Sequence, residues 1–213
     1  MPQPVHCLAV RPRSAANPRD RRLLADAHAL GLTAVTALQA ADLYFLAGDL
    51  AAADQLRLAQ DLLSDPLIER HEWRAARTPA LGRGRHLIEV ALRPGVTDPV
   101  AEQIVRAAAE LGVPQVRAAA TGQRYLIHGR LTEADLHRLA HGLLANPVIQ
   151  HYALGPIAPS FPEPAAASDR TEVIPVRALE AAGALARSPA RRAARGRGRV
   201  GARPAGWRGG RPA

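Results

Sequence analysis

The feature that most constrains the fold is an internal repeat with a period of 81 residues. Residues 17–73 align with residues 98–154 without a gap, and 18 of the 57 aligned positions are identical. The identities fall on glycines, prolines and periodically spaced aliphatic residues, which set the backbone path and the core. Upstream, the Arg-Pro pair at 11–12 matches the pair at 93–94 if the first repeat carries one extra residue. Two copies are too few for a solenoid, so the pattern indicates a duplicated domain.

The end of each repeat carries a recognisable joint. LLSDPLIERH (62–71) and LLANPVIQHY (143–152) each combine a Leu-Leu pair, two small or polar residues, a proline and two aliphatic residues. Pro147 disfavours helical geometry at Asn146. The segment therefore predicts a helix that ends at Asn146 and a strand that starts at Val148 and runs to about residue 154.

The second repeat predicts the elements that precede this joint. HLIEVALR (86–93) alternates apolar and polar residues and predicts a strand. Asp98 and Pro99 fit the cap and first position of a helix, and Gly112 fits its end.

Two further strands and a second helix follow. Short strands are predicted near 114–119 and 124–129, joined by a hairpin at the Thr-Gly pair of 121–122. The second helix is predicted to begin at Thr132, with Asp135 completing a capping box. The resulting order of elements is β-α-β-β-α-β, and the first repeat predicts the same order.

These elements define the predicted fold class. Two helices on one face of a four-stranded sheet is a common two-layer arrangement for about 70 residues. We expect an α+β protein with two tandem βαββαβ two-layer units that form a pseudo-dimer: a first unit at 1–73, a linker at 74–85 and a second unit at 86–155. One such unit buries only a thin core, so the second unit is a natural cover for the open sheet face. Tyr44 and Tyr125 align, and both are expected in the core or between the units.

The net charge of +9 comes entirely from the C-terminal part of the chain. Residues 1–169 hold 17 Arg and 17 Asp or Glu, whereas residues 170–213 hold 11 Arg and 2 Glu. The repeats therefore give no electrostatic argument for nucleic-acid binding. In 186–213, 25 of the 28 residues are Ala, Arg, Gly or Pro, which predicts a disordered basic tail.

Two interpretations of this tail remain open. It could be a nucleic-acid-binding arm, a function for which the run Arg208-Gly209-Gly210 is a hint. It could instead be a GC-rich gene read out of frame after about residue 185, since the chain contains no lysine and its tail has the composition of such codons. Reading the other two frames downstream of codon 185 tests the second interpretation.

A search for catalytic and metal-binding patterns returns little. Cys7 is the only cysteine and is expected to be a buried thiol on a strand. His137 and His141 have helical metal-ligand spacing but lack an evident third ligand, which favours a solvated helix face. The N-terminus lacks a signal-peptide pattern, and no apolar run approaches the roughly 20 residues of a membrane span. The sequence thus favours a cytoplasmic binding or scaffold protein without its own active site over an unassigned enzyme.

The second repeat resembles a known family over residues 86–154. The run IEVALRPGVTDPVAEQIVRAAAELGV (88–113), followed by LLANPVIQHY, is similar to PurS, the small subunit of phosphoribosylformylglycinamidine synthase. The first repeat is a degenerate version of the family pattern, because it has an Arg-Ser pair at 13–14 where the pattern has Pro-Gly.

The resemblance implies a function as well as a fold. PurS is a βαββαβ subunit that dimerises by joining sheets and has no catalytic, cofactor-binding or metal-binding residues. It bridges the glutaminase subunit PurQ and the synthetase subunit PurL. ATP and magnesium are expected in PurL. The complex converts formylglycinamide ribonucleotide and glutamine to the amidine. Further self-association is also conceivable under this resemblance. The expected partner-interface residues are Arg93, Pro94, Gly95, Asp98, Tyr125 and Tyr44.

The segment after the repeats extends the resemblance. Beyond a Pro/Ala linker at 156–170, TEVIPVRALEAAGAL (171–185) is similar to the segment where a linker enters the synthetase portion of fused enzymes. Single-chain forms of the enzyme carry a duplicated PurS-like region at the N-terminus, and the tandem repeats resemble that arrangement.

Overall fold

The computed structural model of the protein describes residues 3–14, 16–74 and 81–161. The first repeat contains β1 Val5–Pro12, α1 Pro18–Ala29, β2 Val35–Ala47, α2 Ala52–Leu58 and β3 Glu69–Trp73. The second repeat contains β4 Arg85–Leu92, α3 Pro99–Glu110, β5 Ala118–Gly129, α4 Glu133–Leu139 and β6 Gln150–Ala153. The predicted entry segment (171–185) and basic tail (186–213) lie outside the described residues.

All six strands form one antiparallel sheet in the order β3-β1-β2-β5-β4-β6. The mixed α+β class is therefore confirmed. Corresponding strands occupy the same positions counted from either edge, and the repeats meet where β2 pairs with β5 along its whole length. The expectation that the second repeat would cover the open face of the first is wrong, because the central strands pair edge to edge and leave both repeats in one layer.

The predicted hairpin at Thr121 and Gly122 is also wrong. β5 runs through both residues without a turn, so each repeat has three strands in the order β-α-β-α-β. A Cβ at Gly122 would lie 2.6 Å from the Val90 carbonyl oxygen and 3.2 Å from the Phe45 ring. The glycine is needed for close packing inside the sheet, and not for a turn.

Both predicted helix starts in the second repeat are confirmed, and so is the predicted end of the first helix. The Asp98 side chain caps α3 by accepting a hydrogen bond from the Ala101 N–H at 3.0 Å. Gly112 follows the end of α3 with φ 87°, a left-handed conformation that favours glycine. Thr132 and Asp135 form the capping box of α4.

The joint after α4 differs from its prediction. A π-helical turn, Ala140–Leu144, extends α4 and ends two residues before Asn146. The Asn146 side chain then accepts a hydrogen bond from the Val148 N–H at 3.0 Å, which stabilises a turn. β6 starts only at Gln150, so Val148 lies in the turn and is 78% exposed. The same turn follows α2 in the first repeat, with Asp65 in place of Asn146.

Both cores on the helical side of the sheet combine residues from the two repeats. In one core, Ile104 of α3 joins Leu8 and Leu58 of the first repeat. In the other, Ala27 of α1 joins Ile88 and residues of α4 from the second repeat. The first helix of each repeat thus packs in a core that contains residues of the other repeat. Neither repeat alone could complete its core.

The opposite face of the sheet carries a third apolar cluster, which includes the Cys7 thiol on β1 and Leu43 and Phe45 on β2. Ile157 and Phe161, which follow β6, pack against this face, and Ile157 is only 5% exposed. The start of the predicted 156–170 linker is therefore packed on the sheet. Cys7 is buried on a strand as predicted, and its burial raises the pKa of the thiol to about 11.

Candidate functional site

The loop between β4 and α3 contains three of the predicted interface residues. Arg93, Pro94 and Gly95 are exposed. Gly95 has φ 82°, and a Cβ there would meet nothing within 4 Å, so the glycine serves the backbone turn alone. The Arg93 Nε donates to the Gln150 carbonyl oxygen at 2.9 Å. The loop is thus fixed to the start of β6 and presents its outer surface to solvent.

Asp98 ends this loop and is committed to contacts inside the protein. It is 8% exposed. One carboxylate oxygen caps α3, and the other accepts hydrogen bonds from the Thr121 N–H at 2.8 Å and the Thr121 hydroxyl at 2.9 Å. Asp98 therefore joins α3 to β5 and positions the exposed loop, and its contact with a partner stays a prediction.

The first repeat meets the same backbone requirement with different residues. Ala40 aligns with Thr121, and its N–H donates to the Asp20 carboxylate at 2.9 Å. Asn17 aligns with Asp98 and accepts from the Arg19 N–H at 3.1 Å. The Asn17 Nδ2 is buried and has no hydrogen-bond partner among the described residues. Asn17 and Asp20 together thus provide the two hydrogen-bond acceptors that Asp98 provides alone.

Strand pairing also corrects the alignment of the two loops. Val10 pairs with Asp42, and Val90 pairs with Gln123, so strand positions in β1 and β4 correspond at a spacing of 80 residues. Arg13 therefore occupies the place of Arg93, and the second repeat carries the extra loop residue. The sequence match of the Arg-Pro pairs at 11–12 and 93–94 was misplaced, because the strand register, and not the local motif, determines which residues correspond.

Tyr44 and Tyr125 lie along the seam between β2 and β5. Asp42 pairs directly with Gln123, its own counterpart in the repeat, and Tyr44 and Tyr125 flank this pair on opposite strands. Tyr125 is buried and donates a hydrogen bond to the Gln123 side chain. Burial raises the pKa of both tyrosines, and nearby carboxylates, Asp42 first, also raise that of Tyr44. Both hydroxyls therefore stay protonated at neutral pH.

A shallow cleft of about 220 Å³ is lined by one residue of the predicted set, Tyr44. Half-buried Tyr44 lines it with Leu92, Val100 and Thr121, which lie next to the exposed loop or to Asp98. Tyr125 is not among its lining residues. The structure thus divides the predicted interface into an accessible part, the 93–95 loop and Tyr44, and a buried part, Asp98 and Tyr125.

The described residues contain no group of three His, Cys, Asp or Glu side chains arranged to hold a metal ion. His137 and His141 instead lie beside Tyr152, and the His137 Nδ1 is 2.7 Å from the Tyr152 hydroxyl. No helix in this part of the chain has the length and apolar character required to cross a membrane.

The sequence reasoning missed a buried charge network on the open face of the sheet. Glu89 is 0% exposed and accepts hydrogen bonds from the Arg74 guanidinium at 2.5 and 2.7 Å and from the Arg124 Nε at 2.9 Å. The Ile157 N–H donates to the same carboxylate at 2.8 Å. The network ties the ends of both repeats together, and its one signal was a glutamate among the apolar residues of 86–92.

The comparison with protein families identifies the second repeat. Residues 85–155 match the PurS family, described as phosphoribosylformylglycinamidine (FGAM) synthase. No curated protein matched the chain significantly. The chain therefore contains a PurS-like domain that spans β4 to β6 and includes the exposed loop, and this domain links it to FGAM synthase and purine biosynthesis.

Proposed function

We propose that this chain, through its PurS-like domain at 85–155, is a non-catalytic scaffold subunit of FGAM synthase. It bridges the ATP-dependent synthetase subunit PurL and the glutaminase subunit PurQ, so that ammonia released from glutamine is used for the amidine product. ATP and magnesium belong to the synthetase subunit in this proposal, which also places the chain in the cytoplasm. The observation that carries it is the family match, which includes the accessible Arg93–Gly95 loop.

The proposal includes a tandem duplication in which two PurS-like units form an internal pseudo-dimer. The aligned identities of the repeats support it. The strand order, the pairing of Asp42 with its counterpart Gln123 and the mixed composition of both cores are further support. One chain would then supply what two identical PurS-like chains supply by association.

The second repeat is the proposed partner-binding half. Its loop is exposed, yet fixed at both ends, by Arg93 on Gln150 and by Asp98 on Thr121. A surface held in this way loses little conformational entropy on binding, which favours affinity. The cleft beside Tyr44 extends the proposed contact across the seam of the sheet.

Reconstitution with purified PurL and PurQ tests the function. The chain alone should show no turnover, and its addition to both partners should restore glutamine-dependent formation of the amidine. If the glutamine-dependent and ammonia-dependent rates are both indifferent to the chain, the proposal is wrong.

The loop is tested in the same assay with Arg93→Ala. The chain concentration needed for half the maximal glutamine-dependent rate should rise about tenfold, which corresponds to about 1.4 kcal/mol of binding free energy. Arg22→Ala is the matched control, since Arg22 is an exposed arginine on α1. Equal effects of the two substitutions would show that the loop is not part of the interface.

The alternative of nucleic-acid binding depends on residues 186–213, and these lie outside the described residues. The net charge of residues 1–169 gives it no support, because 17 Arg are balanced by 17 Asp or Glu.

A further inference from the structure

Four arginines of the first repeat line one groove beside the outer edge of β2. β1 pairs with β2 only from Asp42 to Ala47, so the edge of Val35–Ala41 has no strand partner on that side among the described residues. A groove of about 380 Å³ occupies this position. The arginines that line it are Arg11, Arg13, Arg21 and Arg70.

These guanidinium groups are not neutralised within the described part of the chain. None of the four is among the ion pairs found there within 4.0 Å. Arg70 donates to the Arg13 carbonyl oxygen at 2.8 Å, and Arg11 makes a long contact of 3.4 Å with Gln39. The lining contains one carboxylate, Asp20, which already accepts from the Ala40 N–H. The groove therefore has an excess of positive charge and planar donors suited to oxyanions.

The groove continues around the edge of β2 onto the open face of the sheet. A second groove of about 380 Å³ shares Arg11, Gln39, Ala40 and Arg70 with the first. Its further charged residues are Arg85, Arg124, which is paired with Glu89, and one carboxylate, Glu72. Together the two grooves form one channel, the β2-edge channel, that borders the unpaired part of the strand on both faces of the sheet. A channel of this form suits an extended polypeptide better than a single small anion.

The corresponding edge in the second repeat lacks this charge. The strand and helix registers place Ala91, Arg93, Glu102 and His151 where the first repeat has Arg11, Arg13, Arg21 and Arg70. The cleft that reaches Thr121 of β5 has no arginine in its lining. The positive channel is thus particular to the first repeat and does not follow from the shared fold.

We propose that the β2-edge channel binds an extended acidic segment of a partner protein. The main chain of that segment would lie beside Val35–Ala41, and its carboxylates would pair with Arg11, Arg13, Arg21 and Arg70. The inference deepens the proposed scaffold function, on which the assignment of the segment to a synthase subunit rests. It gives the first repeat, which lacks the Pro-Gly loop, a binding surface of its own.

Amide hydrogen exchange of the full chain, with and without a hexaglutamate peptide, tests the inference. The peptide should slow exchange in 35–41 and leave 118–121 unchanged, so the second repeat serves as an internal control. The basic residues beyond 169 also attract the peptide, but that capture does not protect amides of β2. Inorganic phosphate is the comparison probe for a small-anion site.

Variants make the test specific for charge in the channel. Arg11→Ala with Arg70→Ala should raise the peptide concentration for half-maximal protection about tenfold, the factor expected for two exposed ion pairs. Arg11→Lys with Arg70→Lys should recover most of the binding, which separates loss of charge from loss of fold. Arg106→Ala with Arg117→Ala, an equal change of charge on exposed residues of the second repeat, should have no effect.

Several outcomes would overturn the inference. Protection that is absent, that is equal at 118–121, or that survives the double alanine variant would show that the channel is not the site. Equal protection by phosphate would assign it to a small anion instead. Because neither synthetase nor glutaminase is present, this result is separate from the success or failure of the reconstitution assay.

Discussion

The two repeats satisfy the same backbone requirement in different ways. In the second repeat, Asp98 caps α3 and also accepts the Thr121 N–H. In the first, Asn17 caps α1 while Asp20 accepts the equivalent Ala40 N–H. Both repeats retain a carboxylate acceptor for this backbone N–H beside the open strand edge, because an unsatisfied buried N–H is costly. The side chains that serve it have changed, together with the charge of the neighbouring surface.

The largest expected effect concerns a residue that only one repeat has. Glu89 occupies the strand position of Ala9 in the first repeat. Glu89→Ala should lower the free energy of unfolding by about 4 kcal/mol, because Arg74, Arg124 and the Ile157 N–H lose their acceptor. Urea unfolding of the variant and the parent chain measures this loss. Glu89→Gln, which keeps one of the two acceptor oxygens, should cost less. A loss below about 1 kcal/mol for Glu89→Ala would contradict the assigned role.

The next prediction concerns a pair of glycines in which the repeats should behave alike. A Cβ at Gly48 would lie 2.0 Å from the Gln115 carbonyl oxygen, and one at Gly129 would lie 2.2 Å from that of Ala34. Each substitution to alanine should cost about 3 kcal/mol, and the two costs should agree within about 1 kcal/mol. Thermal unfolding compares them. Gly95→Ala is the control, because its destabilisation comes from the positive φ alone and should be about 1 kcal/mol. Unequal losses of stability at Gly48 and Gly129 would contradict the structural correspondence of the two repeats.

A smaller effect should separate the two solutions to the backbone requirement. Asp98→Ala should cost about 2 kcal/mol, because a helix cap and two hydrogen bonds are lost together, whereas Asp20→Ala should cost about 1 kcal/mol. Asn17→Asp should recover part of the Asp20→Ala loss, since it places a carboxylate where the second repeat has Asp98. A double-mutant cycle in urea measures this coupling. Independent, additive effects would show that position 17 cannot take over the role of Asp20.

The smallest effect concerns the caps of α2 and α4. Thr132 and Asp135 exchange hydrogen bonds, but Ala51 has no side-chain oxygen and only its N–H donates to Asp54. Ala51→Thr should therefore add about 0.5–1 kcal/mol to the free energy of unfolding. Calorimetry measures the gain, and no gain would mean that α2 cannot adopt the capped geometry of α4.

The capping box of α4 should make the stability of the protein depend on pH. Hydrogen bonds from the hydroxyl and N–H of Thr132 lower the pKa of Asp135. The stabilisation is therefore present above the ordinary aspartate pKa and is lost as the pH falls through the lowered value. Thr132→Ala should raise the pKa of Asp135, which a carboxylate titration by NMR detects. An unchanged titration would mean that the box does not form in solution.

Much of the second repeat was predictable because its signals are local. The caps at Asp98 and Thr132 and the helix end at Gly112 depend on residues within a few positions of each other. The Arg93–Gly95 loop was named as a partner interface from the resemblance to PurS, and that role stays a prediction. The Thr-Gly pair at 121–122 misled, because a glycine permits a turn and a close strand contact equally well, and the Val90 and Phe45 contacts that decide between them are distant in sequence.

The sequence by itself indicated that the chain contains two similar repeats, where the helices of the second begin and that the second has the PurS pattern. Only the tertiary structure decided how the units combine: β2 pairs with β5, α1 and α3 complete mixed cores, and the Glu89 network closes the open face. Periodicity and capping come from neighbours along the chain, whereas strand register and buried charge pairing depend on residues tens of positions apart. The arginines of the β2-edge channel illustrate this difference, because they come together only when β1, β2, β3 and α1 are in place.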